Sequence, residues 1–309
     1  MSIGNAIKRT VTAALQDSNR IPENETIEQV RSIGGGDVSD AFLCKTNTGN
    51  KIFVKVCCST SSGQSIDDIV NMFKSEAEGL KALDDTHTIR VPTPYAHGVL
   101  EGKKNCGYLA TEYIAMGGKH SPDIQRKYGE QLADMHLAPG PDQFGFPVNN
   151  TIGSTPQDNT WTSDYLEFLH RRLKYQFDLA SRHPQVKKAG QELLDRLPSY
   201  FEGLDPIRPS LQHGDLWSGN WSSDDQGNPV IFDPAPFYGH SESDLGIMQL
   251  FGGVNEEFYK AYHSKIPKAP GFEKRLSIYT LYHAVNHLNM FGSSYLGTCM
   301  SLFSSILGD

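Results

Sequence analysis

The hydrophobic positions of this chain follow two different spacings, and the change between them divides it. From Ile27 to Tyr113, short apolar segments alternate with turn residues. Ile27 to Ile33, Ala41 to Thr46, Lys51 to Val56, Gly98 to Leu100 and Tyr108 to Tyr113 predict strands. Asn47-Thr48-Gly49-Asn50 is a turn by composition. One helix interrupts them, Ile66 to Leu83, where Ile69, Met72, Phe73, Leu80 and Leu83 share a face. Beyond that the spacing is helical: 123–137 behind Pro122, 161–181, 185–197, 255–264, 272–290 and 294–307, with a Pro/Gly-rich loop over 139–156. A small antiparallel sheet with one helix, followed by a larger, mainly helical part, predicts an α+β chain of two lobes, residues 1–113 and 114–309.

Composition changes this picture little. The 309 residues suffice for two lobes, and 38% hydrophobic with 21% charged residues is an ordinary globular balance. No stretch approaches the ~20 uninterrupted apolar residues of a membrane span. Met1 to Arg20 lacks an apolar h-region and a small-residue cleavage site, so a cytoplasmic protein is expected. A net charge of −8 argues against nucleic acid as a partner. Cys44, Cys57, Cys58, Cys106 and Cys299 form an odd, scattered set without a CxxC pair, and are expected to be reduced thiols. There is no internal repeat, and the oligomeric state is left open.

The candidate chemistry sits in His213-Gly214-Asp215-Leu216-Trp217-Ser218-Gly219-Asn220 and in Ile231-Phe232-Asp233 downstream. Phosphoryl transfer to a hydroxyl needs these residue types in this order. One carboxylate, Asp215, orients and deprotonates the acceptor; an amide, Asn220, and a second carboxylate, Asp233, offer hard oxygen ligands to Mg2+ on the phosphates of ATP. Turns also favour Asp and Asn, but the ordered set with a strand feeding Asp233 favours the chemistry. Gly34, Gly35 and Gly36 between two strands could cover phosphates or form a plain hairpin turn; no Gly-Lys-Ser/Thr follows. Lys55 in Phe53-Val54-Lys55-Val56 either faces solvent on an edge strand or needs an anionic partner. Glu76 on the following helix is the preferred one, with Glu78 as its competitor.

Together with Phe232-Asp233-Pro234-Ala235, Phe237-Tyr238-Gly239-His240-Ser241-Glu242 and Phe251-Gly252-Gly253, the segment from His213 to Asn220 closely resembles the fructosamine/ketosamine kinases. These belong to the protein-kinase-like superfamily, beside aminoglycoside and choline kinases. The resemblance extends more weakly from about Ile27 to Phe291. It implies a two-lobed protein-kinase-like fold, ATP and Mg2+ as cofactors, and an alcohol phosphotransferase acting on the C3 hydroxyl of a ketosamine, which leads to deglycation. It implies Asp215 as base, Asn220 and Asp233 as metal ligands, and Gly34, Gly35, Gly36, Lys55 and Glu76 at the phosphates. In Thr111-Glu112-Tyr113-Ile114-Ala115, the backbone of Glu112, Tyr113 and Ile114 would meet the adenine edge. Trp217 and His240 would bind the sugar, His213 would orient the catalytic loop, and Asp244 in Asp244-Leu245-Gly246 would brace it. His213 could equally be a satisfied core histidine, and Trp217 could simply pack the loop. Glu242 and Asp244 are further expected to suit the ammonium of the substrate.

Two readings compete: a kinase of another small hydroxyl compound such as an aminoglycoside, choline or a sugar, and a nucleotide-binding pseudokinase. Trp217 with Tyr238-Gly239-His240 weighs against the first, and intact Lys55, Asp215, Asn220 and Asp233 against the second. Asp233-Pro234-Ala235 replaces the Asp-Phe-Gly of protein kinases and restricts movement of the Asp. Asp37 stands where many relatives carry a cysteine after the glycine loop.

Overall fold

The computed structural model describes residues 1–35, 38–59, 65–118, 121–204 and 206–308. They form two compact units, Met1–Asp85 with Val91–Met116, and Thr86–Arg90 with Gly117 onward.

The first unit is built on β1 (Ile27–Gly35), β2 (Asp40–Thr46), β3 (Lys51–Cys58), β4 (Pro94–Val99) and β5 (Cys106–Glu112), antiparallel throughout in the order β1-β2-β3-β5-β4. It carries two helices where the spacing predicts one. The additional helix, α1 (Ile3–Asp17), starts at Ser2, whose hydroxyl accepts from Asn5 N, and buries Ala6, Ile7, Val11 and Leu15. These side chains join Ile52, Val54 and Val56 of β3 and Tyr108 and Ala110 of β5 in one core. Full burial of each large aliphatic side chain is worth about 1.5–3 kcal/mol, enough to hold a helix that would be marginal alone.

Strand alternation then decides the other face. Cys57 and Leu109 pack with Ile69, Phe73 and Ala77 of α2 (Ile66–Asp84) in a second core. Lys55 shares the face of Cys57, because strand side chains alternate. Ser65 and Asp68 close a reciprocal capping box at the start of α2. Cys58 and Cys106 are register partners on β3 and β5 and form a disulfide, against the expectation of five reduced thiols. Cys44, Cys57 and Cys299 are free and buried.

The second unit is mainly helical: α3 (Pro122–Leu137), α4 (Tyr165–Leu179), α5 (Pro184–Arg196), α6 (Ser243–Phe251), α7 (Glu256–Lys265), α8 (Phe272–Phe291) and α9 (Leu296–Leu307). Ser121, Asp164 and Asn255 cap α3, α4 and α7 with their side chains. Short two-stranded ribbons lie among the helices. One, β6 (Asn150–Ile152) with β7 (Thr155–Gln157), runs through the segment expected to be loop. Two others position the site: β8 (Ser210–Gln212) pairs with β11 (Phe237–Gly239), and β9 (Trp221–Ser223) with β10 (Pro229–Ile231).

Candidate active site

Those two ribbons hold two loops side by side. Residues 213–220 connect β8 to β9, and residues 232–236 connect β10 to β11. Backbone bonds join the loops, Phe232 N to Asn220 O at 3.0 Å and Ala235 N to His213 O at 2.9 Å. Gly214 has φ +84°, and a Cβ there would lie 2.1 Å from Ala235 O, so only glycine lets the loops approach so closely.

The first loop is fixed by Asp244 near the start of α6. Its Oδ2 accepts from His213 N at 2.7 Å and its Oδ1 from Gly214 N at 2.8 Å, while His136 Nε2 of α3 stands 3.2 Å from Oδ2. Burial alone would raise this carboxyl. The hydrogen bond and charge of His136, with the loop donors, outweigh burial and hold it below the usual range. His213 is fully buried, and burial lowers its pKa. A neutral ring donates from Nε2 to Phe232 O at 3.0 Å, and Nδ1 then accepts from Asp215 N at 3.3 Å. This histidine ties the two loops together.

Asp215 is in a different electrostatic position. Its Oδ2 accepts from Asn220 Nδ2 at 3.1 Å, and the same amide donates to Asp215 O at 2.8 Å. Burial and the charge of Asp233 push the Asp215 carboxyl up to about 7. With the Asn220 nitrogen committed, Oδ1 is its group suited to a cation, and it and the Asp233 carboxylate are both hard oxygens of the kind Mg2+ takes. Among the described residues, no group of three or more His, Cys, Asp or Glu is placed to hold a metal ion. Asp233 adopts φ 59°, a left-handed conformation uncommon outside glycine.

In the first unit, Lys55 Nζ lies 2.7 Å from Glu76 Oε1, both side chains largely buried. Glu78 instead stands 3.8 Å from Lys74 on an exposed stretch of α2, so Glu76 is the partner. Gly34 and Gly35 end β1; Gly36 and Asp37 lie outside the described residues. Glu112 ends β5, where its Oε2 accepts from Thr93 N at 3.3 Å, and the ring of Tyr113, ahead of Ile114, lies under Lys51.

The acids expected near the substrate ammonium are already committed. Glu242 binds Arg275 through both oxygens at 2.8 Å, and Asp244 is spent on the loop. Sequence spacing gives no hint of Arg275 or His136, which meet these acids only through the packing of α8 and α3. His240 is not freely presented either. Its Nδ1 is 2.8 Å from Tyr279 Oη, its ring packs near Tyr165 and Phe201, and burial lowers its pKa to about 3. It also borders a cleft lined by His136, Arg208 and Ser241. Trp217, by contrast, is 41% exposed. Its ring folds over Gly219, where a Cβ would come within 2.3 Å of it, and meets Phe251 edge-on at 6.4 Å.

Comparison with known proteins gives a consistent result. The fructosamine kinase family profile matches residues 9–309. A rice (Oryza sativa subsp. indica) protein named chloroplastic protein-ribulosamine 3-kinase is 44% identical over 91% of this chain and 79% of its own length. The mouse ketosamine-3-kinase is 37% identical over 88% of this chain and 93% of its own. A Haemophilus somnus protein, provisionally named a fructosamine-3-kinase in its crystal structure, shares the protein-kinase-like fold, with a TM-score of 0.80 over 96% of each chain at 23% identity. A family match over residues 9–309 means that this protein belongs to the fructosamine kinase family.

Proposed function

We propose that the protein is an ATP-dependent kinase of the C3 hydroxyl of ketosamines, fructosamine or ribulosamine adducts, acting in deglycation. The observation that carries the reading is the braced loop pair that sets Asp215 against the Asn220 amide within reach of the Asp233 charge. Asp215 would accept the proton of the sugar hydroxyl as phosphoryl transfer proceeds, and a carboxyl raised to about 7 is matched to that task near neutral pH. Asn220 Oδ1 and Asp233 would hold Mg2+, which neutralises phosphate charge when bound. Asp244 and His213 keep Asp215 in position without touching substrate. In the first unit, Gly34, Gly35 and the Glu76-held ammonium of Lys55 would serve the nucleotide phosphates, and the backbone of Glu112, Tyr113 and Ile114 the adenine edge. Trp217 would lie under the sugar.

Phosphorylation at O3 makes the ketosamine labile, so the sugar leaves and the amine is restored. Among the described residues, no helix is long and apolar enough to cross a membrane. We read the setting as cytoplasmic, and cell fractionation tests it. The central experiment is a coupled ADP-release assay with Mg-ATP across ketosamines, aminoglycosides, choline and free hexoses. Ketosamines should be turned over fastest. Equal kcat/KM for fructose and fructose-lysine would overturn the ketosamine assignment, and preference for an aminoglycoside or choline would replace it.

A further inference from the structure

A row of ring contacts leads away from the catalytic loop within the second unit. Trp217 meets Phe251 at 6.4 Å, Phe251 meets His287 at 4.7 Å, and His287 meets both Phe291 and Tyr295, at 5.4 and 5.2 Å. The row is built by the end of α6, the last two turns of α8 and the short turn that follows. It is not core. Trp217 and Phe291 are 41% and 49% exposed, and Phe251, His287 and Tyr295 are half-buried. A contiguous aromatic surface left open to water marks a recognition site more often than a packing accident.

We infer that this row is the docking surface for the alkyl-ammonium arm of a glycated lysine within a polypeptide, an inference that rests on the ketosamine reading of the active site. Three observations converge on that occupant. The row begins at Trp217, two residues after Asp215, so whatever leaves the sugar on that side meets rings first. The adduct nitrogen is a secondary ammonium four bonds from O3, and the two acids expected beside it, Glu242 and Asp244, are committed to Arg275 and to the loop amides. Ring faces also receive a cation, and indole is the best of them. Length agrees as well: from O3 through the nitrogen to the lysine Cα is roughly 10 Å of extended chain, about two ring-to-ring steps along the row. Methylene groups of the arm would cover the rings, and an exposed row, unlike a closed pocket, admits an adduct still attached to a protein surface.

The test compares two ketosamines of the same sugar, one of methylamine and one of the side chain of Nα-acetyl-lysine N-methylamide, in wild type and in Phe291→Ala and Tyr295→Ala. The wild type should prefer the lysine adduct in kcat/KM by about tenfold, and each variant should shrink that ratio severalfold, mainly through KM. Sedimentation of wild type and Phe291→Ala accompanies the kinetics. No preference in the wild type, or an unchanged ratio in both variants, overturns the docking surface while leaving the kinase reading intact. A wild-type dimer that Phe291→Ala dissociates with the ratio unchanged assigns the row to a second copy of the chain and also overturns it. Absence of turnover on every ketosamine, with the phosphoryl group of Mg-ATP transferred to another acceptor, would instead sink the reading beneath it.

Discussion

Asp244 and Asp215 are carboxylates serving one loop, and they are treated in opposite ways. Asp244 collects two backbone amides and a histidine, and its acidity is enhanced despite complete burial. Asp215 receives a single side-chain amide, and burial together with the charge of Asp233 suppresses its acidity. The first is satisfied by the fold. The second is left in want of a proton or a cation, which suits a group meant to meet substrate. The contrast separates structure from chemistry around a single loop, and it can be broken experimentally.

The largest effect should come from Asp215→Asn. The asparagine keeps the shape but cannot accept a proton, so kcat should fall by roughly 10²–10⁴ or more while Mg-ATP affinity stays within a few-fold. Single-turnover rates with a nucleotide titration measure both, and near-normal kcat would remove Asp215 from the base role. Next is Asp244→Ala, which leaves two buried amides and His136 Nε2 unpartnered. Loss of about 3–5 kcal/mol in urea unfolding is expected, as for a broken buried pair, with activity falling as the loop loosens. An unchanged midpoint would show that Asp244 does not carry the loop.

A smaller, opposite effect sharpens the comparison. In the metal-free protein Asp215 loses its proton near 7 when folded and near 3.8 when unfolded, so between those values the folded chain binds more protons. Stability contributed by this group is present at low pH and declines as pH rises toward 7. Asp215→Asn should therefore be more stable than wild type by about 1–2 kcal/mol at pH 8, the gain shrinking toward pH 4. Asp244 has the reverse sign, its contribution lost only as pH falls below the ordinary carboxyl range. Melting curves of wild type and variant across pH check the crossing. The smallest change is expected for Trp217→Ala, within about 0.5 kcal/mol of wild-type stability, accompanied by a raised sugar KM. Trp221, four residues on, is buried and stacked on Tyr128 at 4.3 Å, and its truncation should cost about 3–5 kcal/mol. If the two tryptophans proved equally costly, Trp217 would be packing the loop.

Much of this was legible in the chain. The patterns around Lys51 and Ile66 lead to β3 and α2 with boundaries off by a residue or two, because one-sided burial writes a clear period. The order Asp, Asn, strand, Asp is likewise local. α1 was also written, in Ala6, Ile7, Val11 and Leu15 behind a serine cap, but the segment was weighed only as a targeting signal. What resisted reading depends on register and packing. Cys58 finds Cys106 because two strands align with those positions opposite, which neither cysteine's neighbours reveal. Glu242 finds Arg275 thirty-three residues later on α8, so its expected role beside the ammonium gave way to an internal ion pair.

The left-handed backbone at Asp233 bears on how the site should be probed. At φ 59°, with Pro234 restricting its neighbour, this position suits residues that tolerate that conformation, and alanine is a poor member of that group. An alanine scan there would confound loss of the proposed oxygen ligand with a displaced loop and overstate the share of the proposed metal. Asparagine tolerates the same geometry and keeps one oxygen while shedding the charge; glycine tolerates it and keeps no ligand. The pair Asp233→Asn and Asp233→Gly therefore separates charge, ligand and backbone at a single position, which makes the conformation itself a guide to choosing mutants.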